Sequence, residues 1–232
     1  MSSPAALTPE RRRIRSFVRR EGRLTPAQLR ALDELLPRYG LDATAGRFDF
    51  ARIFGRDARR TLEIGCGNGD TLSQLAGRHP DEDFVGIEVH RPGVGHLLNA
   101  IADQQLCNVR VVCADAVDVL QRCVEDESLD AVLLYFPDPW PKKRHHKRRI
   151  VQPEFVACVA RKLKHGGCFH LATDWSEYAG HMLEVLSACA DLANAAADGT
   201  YVPRPDERPL TKFERRGLKR GHPVRDLVFL RR

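Results

Sequence analysis

The sequence predicts an α/β domain built on a mostly parallel sheet with helices on both faces, and three observations carry that expectation. From Arg60 onward, short apolar segments alternate with longer stretches of helical periodicity, the pattern of repeated βα units whose strands are buried on both sides. A glycine-rich turn, Gly65-Cys66-Gly67-Asn68-Gly69, stands between the first strand and the first helix of that series, where open α/β sheets hold their ligands. The acids Glu63, Glu88, Asp115 and Asp138 recur at or just beyond the ends of successive strand segments, the carboxyl edge at which such sheets place their chemistry.

Taken in order, residues 1 to about 9 read as an unstructured lead. Arg11 to Arg23 form an arginine-rich arm with a little apolar content (Ile14, Phe17, Val18), either a short helix or a segment that orders on a polyanion. Residues 1–24 are therefore set apart as a basic arm, ahead of one domain over 25–232 that opens with a helical addition over 25–56. Thr25-Pro26-Ala27-Gln28 begins a helix with threonine as cap, proline at the first position and glutamine three residues on. Leu29, Leu32, Leu35 and Leu36 form its apolar stripe, with Pro37 and Gly40 as stops. Strands are expected at 61–64, 83–88, 109–113, 129–134 and 168–172, and helices at 70–79, 94–106 and 116–123. A further helix opens at Pro153, carries Phe155, Val156, Val159 and Leu163, and is expected to end on a glycine cap at Gly166-Gly167. A helix over 178–189 and a strand over 225–230 complete the series.

At 232 residues the chain is long enough for one sizeable core. No apolar run approaches the ~20 residues of a membrane span, and the first residues lack the basic and apolar regions of a secretory signal. Seven cysteines, an odd number with no Cys-x-x-Cys pair, exclude a disulfide frame or a structural zinc site and suit a reducing cytoplasm. The net charge of +6 is concentrated. Glu10 to Arg30 holds eight arginines against two glutamates, Lys142 to Arg149 holds no acid, and Lys212 to Arg220 adds a third cluster. One such run is ordinarily a solvated face, but three on one domain point to a phosphate-bearing partner.

The glycine turn is not a dinucleotide fingerprint. Its glycines are Gly65, Gly67 and Gly69, and Asp70 occupies the position where a third fingerprint glycine would stand. An acid there opposes a pyrophosphate at the helix N-terminus. Glu63 ahead of the turn suits an ammonium or hydroxyl groups, Glu88 a ribose diol and Asp115 an adenine amino group. A ligand with adenine, ribose and a cationic amino-acid tail but no phosphate is S-adenosylmethionine; a purely structural turn is the alternative. The densest stretch is Tyr135 to Arg149, where Phe136-Pro137-Asp138-Pro139-Trp140 leads into six cations and two histidines. Adjacent histidines with no nearby carboxylate or cysteine do not make a metal site. Nothing in the sequence activates Cys66 as a nucleophile.

With Gly86-Ile87-Glu88-Val89-His90, Phe136-Pro137-Asp138-Pro139-Trp140, Lys147-Arg148-Arg149, Thr173-Asp174-Trp175 and Thr211-Lys212-Phe213-Glu214 in view, the chain resembles the bacterial tRNA (guanine-N7-)-methyltransferases over nearly its whole length. The resemblance implies a Rossmann-like class I methyltransferase fold, a seven-stranded sheet with its last strand antiparallel, acting on a variable-loop guanine of tRNA and leaving S-adenosylhomocysteine. It implies that Glu63, Gly65, Gly67, Gly69, Glu88, Asp115 and Asp138 line the cofactor pocket. It further implies that Lys142, Asp174, Thr211, Lys212, Phe213 and Glu214 contact substrate, and that Arg144, His145, His146, Lys147, Arg148 and Arg149 grip RNA. No metal, membrane or obligatory protein partner is expected, and a monomer is the default.

Guanine N7 carries a lone pair and no proton, so its methylation needs no general base. Asp138 is then expected to be electrostatic, a fixed carboxylate beside a purine that becomes cationic. Asp174 is expected either to accept from the guanine N1/N2 edge or to cap the following helix. Trp140 either stacks on an extruded base or packs its loop. Two other readings compete. One is an amino-group methyltransferase acting on DNA adenine, whose Asp-Pro-Pro-aromatic loop differs in order from Asp138-Pro139-Trp140-Pro141. The other is a non-catalytic RNA-binding module, which would not require acids at all three strand ends.

Overall fold

The computed structural model describes residues 14–18, 22–211, 214 and 223–232. The expectations for residues 1–9, for Lys212 and Phe213 and for most of the third basic cluster lie outside the described residues.

Helix α1 (Pro26–Glu34) starts as its capping residues dictate: Thr25 Oγ1 accepts from the Gln28 amide, and Gln28 Oε1 accepts from the Thr25 amide. Its buried stripe differs from the expected one. Ala31 and Leu32 are buried, Leu29 is 47% exposed, and Leu35 and Leu36 are half-buried. The reason is the partner. α1 crosses α5 (Arg91–Asp103) at Gly95, where a β-carbon would lie 2.9 Å from the Gln28 carbonyl oxygen, and Gln28 Nε2 donates to the Pro92 carbonyl. The contact row thus runs through Gln28, Ala31 and Leu32 and turns Leu29 outward. Pro37 does not stop α1 but sits in the first turn of a second short helix, α2 (Leu36–Tyr39), where its missing N–H costs nothing. α3 (Phe50–Phe54), capped by Asp49, completes the N-terminal addition.

The strands are β1 (Arg60–Ile64), β2 (Asp83–Ile87), β3 (Val109–Val112), β4 (Leu129–Tyr135), β5 (Leu163–Thr173), β6 (Leu192–Asn194) and β7 (Arg225–Arg231). Among the described residues they form one seven-stranded sheet in the order β3-β2-β1-β4-β5-β7-β6. The first five run parallel, and β7 pairs antiparallel with both β5 and β6. Two apolar clusters cover its faces. On one, Leu62, Val85, Val132, Phe169 and Phe229 pack under α6 (Ala116–Arg122), α7 (Pro153–Lys162) and α8 (Ser176–Ser187). On the other, Phe84, Val109, Val111 and Leu133 pack under α1, α4 (Asp70–Arg78) and α5. The periodicity anticipated these elements to within a few residues, apart from α2, α3 and β6 and the early start of β5 at Leu163.

The expected glycine cap on α7 is not formed. The helix stops at Lys162 because Leu163 is extended, fully buried and paired with Leu129. The next pair is Ala131 with Cys168, so residues 164–167 bulge out of β5 opposite Asp130 alone. Asp130 holds the bulge from the β4 side, accepting from Lys164 Nζ at 2.9 and 3.1 Å while also accepting from the Arg60 amide.

Beyond Leu133, the second face turns ionic. Tyr135 Oη lies 2.9 Å from His170 Nδ1, and His170 Nε2 lies 2.8 Å from Asp226 Oδ1. Arg208, with no side-chain exposure, donates to both oxygens of Glu214 at 2.6 and 2.7 Å and to Asp226 Oδ2 at 3.1 Å. A buried guanidinium is tolerable only when paired, and here two carboxylates hold it. The network fastens β4, β5 and β7 to the segment around Glu214.

A close backbone approach occurs at Gly93, where a β-carbon would stand 2.4 Å from the backbone oxygen of Gly67. Relief there requires the glycine turn itself to move. Gly93→Ala is expected to destabilise the protein by about 1–3 kcal/mol in urea unfolding. Gly180→Ala, in α8 with open space around it, should stabilise it by about 0.4–1 kcal/mol.

Candidate active site

The carboxyl ends of β1 to β4 meet at one cleft. A cavity of about 220 Å³ there is lined by Gly65, Glu88, Asp115 and Asp138, with Phe136 and Pro137 on the same wall. Their places at successive strand ends led to the expectation of one shared edge, and the parallel strand order produces the convergence.

The glycine turn leaves β1 through three residues with positive φ, Gly65 at 69°, Gly67 at 55° and Gly69 at 77°, a path closed to most side chains. Glu88 holds the turn. One of its carboxylate oxygens accepts from the Gly67 amide at 2.8 Å, and the other accepts from the Val89 and His90 amides at 2.7 and 2.8 Å. Three of about four acceptor sites are thus spent on the protein, and the carboxylate is aimed before any ligand arrives. Asp115 caps α6 by accepting from the Val117 amide at 3.0 Å and also lines the cavity.

Glu63 lies behind the turn rather than in the cavity wall. It is 4% exposed, and its Oε2 has no hydrogen-bond partner among the described residues. Burial, reinforced by the Glu88 charge, raises its pKa from 4.5 to about 8. Cys66 is buried beside both acids, and burial with these two charges pushes its thiol well above the usual range. A thiol so placed is no nucleophile.

The loop after β4 is set between two strained residues: Phe136 at φ 52° and Trp140 at φ 45° adopt left-handed backbone without being glycine. Such conformations persist only where surrounding contacts over-determine them. At the first, the Phe136 amide donates to the Ala172 carbonyl at 2.8 Å. At the second, Trp140 Nε1 donates to the Ser16 carbonyl at 3.0 Å, and the Arg148 guanidinium lies 4.9 Å over the indole. Trp140 therefore packs its loop. Asp138 stands between them, exposed and lining the cavity, and makes no hydrogen bond among the described residues.

Three of the expected positions need rereading. Arg149, grouped with the RNA-gripping cations, is 2% exposed and points inward. Its Nε donates to the Pro139 carbonyl at 3.0 Å, its two terminal nitrogens donate to Glu177, and its guanidinium lies 4.8 Å over the Tyr178 ring. No phosphate can reach it. Glu214, grouped with the substrate contacts, is the buried counter-ion of Arg208, and Thr211 Oγ1 accepts from its amide. Asp174, half-buried at the end of β5, is not the cap of α8: Trp175 is, without a side-chain bond, and Thr173 Oγ1 accepts from the Trp175 amide. Lys142, Lys143, Arg144 and Lys147 are exposed on a 3₁₀ turn over Lys143–Arg148 and its cap, with His145, His146 and Arg148 half-exposed. Lys212 and Phe213 lie outside the described residues.

Sequence reading missed Ser16 and Phe17. Both line the cavity, so the basic arm reaches the cleft. The one signal available was a phenylalanine set among arginines.

A sequence family described as a putative methyltransferase matches residues 57–227. The tRNA (guanine-N(7)-)-methyltransferase of Pseudomonas savastanoi pv. phaseolicola is 60% identical over 218 residues, 94% of this chain and 89% of that protein. The enzyme of the same name from Alcanivorax borkumensis is 58% identical over 221 residues, 95% and 92% of the two chains. Among solved structures, the 16S rRNA methyltransferase KamB matches at a TM-score of 0.59 and 16% identity over 80% of this chain and 95% of that one, a likeness of fold. Sequence and sheet agree, and the chain belongs to the tRNA (guanine-N(7)-)-methyltransferase family.

Proposed function

We propose that this enzyme transfers a methyl group from S-adenosylmethionine to N7 of a guanine in the variable loop of tRNA, acting as a cytoplasmic monomer. The single observation that carries the reading is that Asp138 closes the same cavity whose other wall is Glu88 and Asp115. An acid with no hydrogen bond among the described residues thus faces the groups suited to a nucleoside. Family membership disfavours the DNA-adenine and non-catalytic alternatives. The basic arm over 1–24 and the single domain over 25–232 remain our division of the chain.

The residues present fit the cofactor. Glu63 offers a buried carboxylate oxygen with no partner among the described residues, as an ammonium group requires, and no part of the turn is arranged for a pyrophosphate. Bound S-adenosylmethionine supplies an electrophilic methyl on a sulfonium. Glu88, already oriented by three amides, has an acceptor site left for a ribose hydroxyl. Asp115 would accept from the adenine amino group. Asp138 takes no proton; it lowers the energy of the purine as positive charge arrives on it. Asp174 would hold the N1/N2 edge. Lys142, Arg144 and Lys147, exposed on the turn that follows the Asp138 loop, would meet phosphates, while Arg149 keeps the loop in place.

Incubation with labelled cofactor and unmodified tRNA, followed by mapping of 7-methylguanine, tests the reading; label on adenine alone would reject it. Asp138→Ala should reduce single-turnover methylation by roughly 10²–10³-fold while cofactor affinity stays near the wild-type value, and an unchanged rate would remove Asp138 from the chemistry. Arg144→Ala with Lys147→Ala should flatten the salt dependence of tRNA binding by about one unit of slope for each phosphate left without its cation; an unaltered slope would make this turn ordinary solvated surface.

Glu63 gives a pH signature. Its folded pKa of about 8 lies above the ordinary 4.5, so the cofactor-free protein is most stable below that ordinary value and loses stability as pH climbs through about 8. An ammonium partner favours the carboxylate. At pH about 7 cofactor binding should therefore release a proton, and affinity should rise with pH until about 8. Calorimetry in two buffers of different ionisation enthalpy measures the release, which Glu63→Gln should abolish.

A further inference from the structure

Extruding a guanine from folded tRNA strips it of its stacking neighbours, and enzymes that do this supply aromatic faces in exchange. Trp140 cannot serve. Its indole nitrogen is bound to the Ser16 carbonyl, Arg148 covers its ring, and His145 meets it edge-on at 5.9 Å. The other tryptophan is differently placed. Trp175 follows Asp174 directly at the carboxyl end of β5, is 40% exposed, and its side chain makes no hydrogen bond among the described residues.

Its position relative to Asp138 is set by the sheet. Tyr135 of β4 pairs with Ala172 of β5, and the Phe136 amide continues that pairing by donating to the Ala172 carbonyl. Asp138 and Trp175 each lie three residues beyond these paired positions, on neighbouring turns. The turns are also braced together: Arg149 donates to the Pro139 carbonyl on one and to Glu177 beyond the other. Trp175 itself rests on a rigid mount. Its amide donates to Thr173 Oγ1, its carbonyl accepts from the Ala179 amide, and Tyr178 and Ala179 are fully buried. A single exposed tryptophan on a surface needs no explanation; one fixed next to Asp174, on the turn neighbouring the one that carries the cavity-lining Asp138, is a different matter.

We propose, resting on the guanine-N7 reading, that Trp175 is the platform on which the target guanine stacks, while Asp174 meets its polar edge. The chemistry favours an indole. Methylation at N7 leaves the purine cationic, and the face of tryptophan is the aromatic surface that attracts a cation most strongly. Trp175 therefore holds the methylated ring more tightly than the unmodified one, and its stabilisation grows along the reaction.

The chain contains two tryptophans, so Trp140→Phe leaves Trp175 as the sole indole reporter. Titrating that variant, its fold checked by circular dichroism, with guanosine 5′-monophosphate and 7-methylguanosine 5′-monophosphate in the presence of S-adenosylhomocysteine reads the stacking without requiring turnover. Emission should be quenched by both, with roughly tenfold tighter binding of the methylated nucleotide. Absence of quenching by either nucleotide overturns the proposal, as does quenching by tRNA alone, which would put a flanking nucleotide on the indole. In the full enzyme, Trp175→Leu should lower kcat by roughly 10- to 100-fold with little change in KM for tRNA, which phosphate binding dominates, and Trp175→Phe should restore most of it. If wild type forms 7-methylguanine and Trp175→Leu forms it equally fast, the platform is wrong and the guanine-N7 reading stands. If wild type forms none, that reading fails, and the titration still decides whether the indole binds guanine.

Discussion

The acceptor side of the cleft depends on one buried guanidinium. Arg149 binds the carbonyl beside Asp138 and the carboxylate of Glu177 on α8, with its flat face on Tyr178. Its hydrogen bond holds Glu177 below the usual carboxylate range although that side chain is 57% exposed. Taking a cation out of water is costly unless it is paired and hydrogen-bonded, and each nitrogen of this guanidinium has a partner. The return is positional. The loop after β4 begins and ends in strained backbone, and without a brace it would relax and carry Asp138 with it.

The cofactor side solves the same problem with an anion. Glu88 collects three amides from two segments, tying the turn after β1 to the end of β2 and leaving little of the carboxylate undirected. Glu63 behind it is the opposite case, a buried acid with an oxygen unmatched among the described residues. One carboxylate is satisfied and fixed; the other is held at a cost that a cationic ligand can recover.

What could be read in the sequence was whatever local pattern controls. The βα series, the capping box at Thr25, the glycine turn and the acids at the strand ends all follow from short-range periodicity or from types of residue at fixed spacing. What could not be read was direction. Arg149 sits in a run of six cations and turns inward, because the chain beyond it closes on α8. Glu214 looks like a substrate contact until Arg208, remote from it in role though near in sequence, claims it. Leu29 lies on an apolar stripe that α5 approaches from another side, and the Gly166-Gly167 pair serves a strand bulge because Leu163 is needed in the core. Each of these is decided by a partner that the local pattern does not contain.

The ionic network under the cleft has a further consequence. Tyr135, His170, Asp226, Arg208 and Glu214 each satisfy a neighbour that is itself buried or partly buried, so the loss of any one strands a polar group among the rest. Single substitutions here are penalised even when the final, fully replaced set would pack well. Homologous sequences should consequently show these positions changing together or not at all, giving the stretch that ends in Glu214 a historical inertia set by its buried partners.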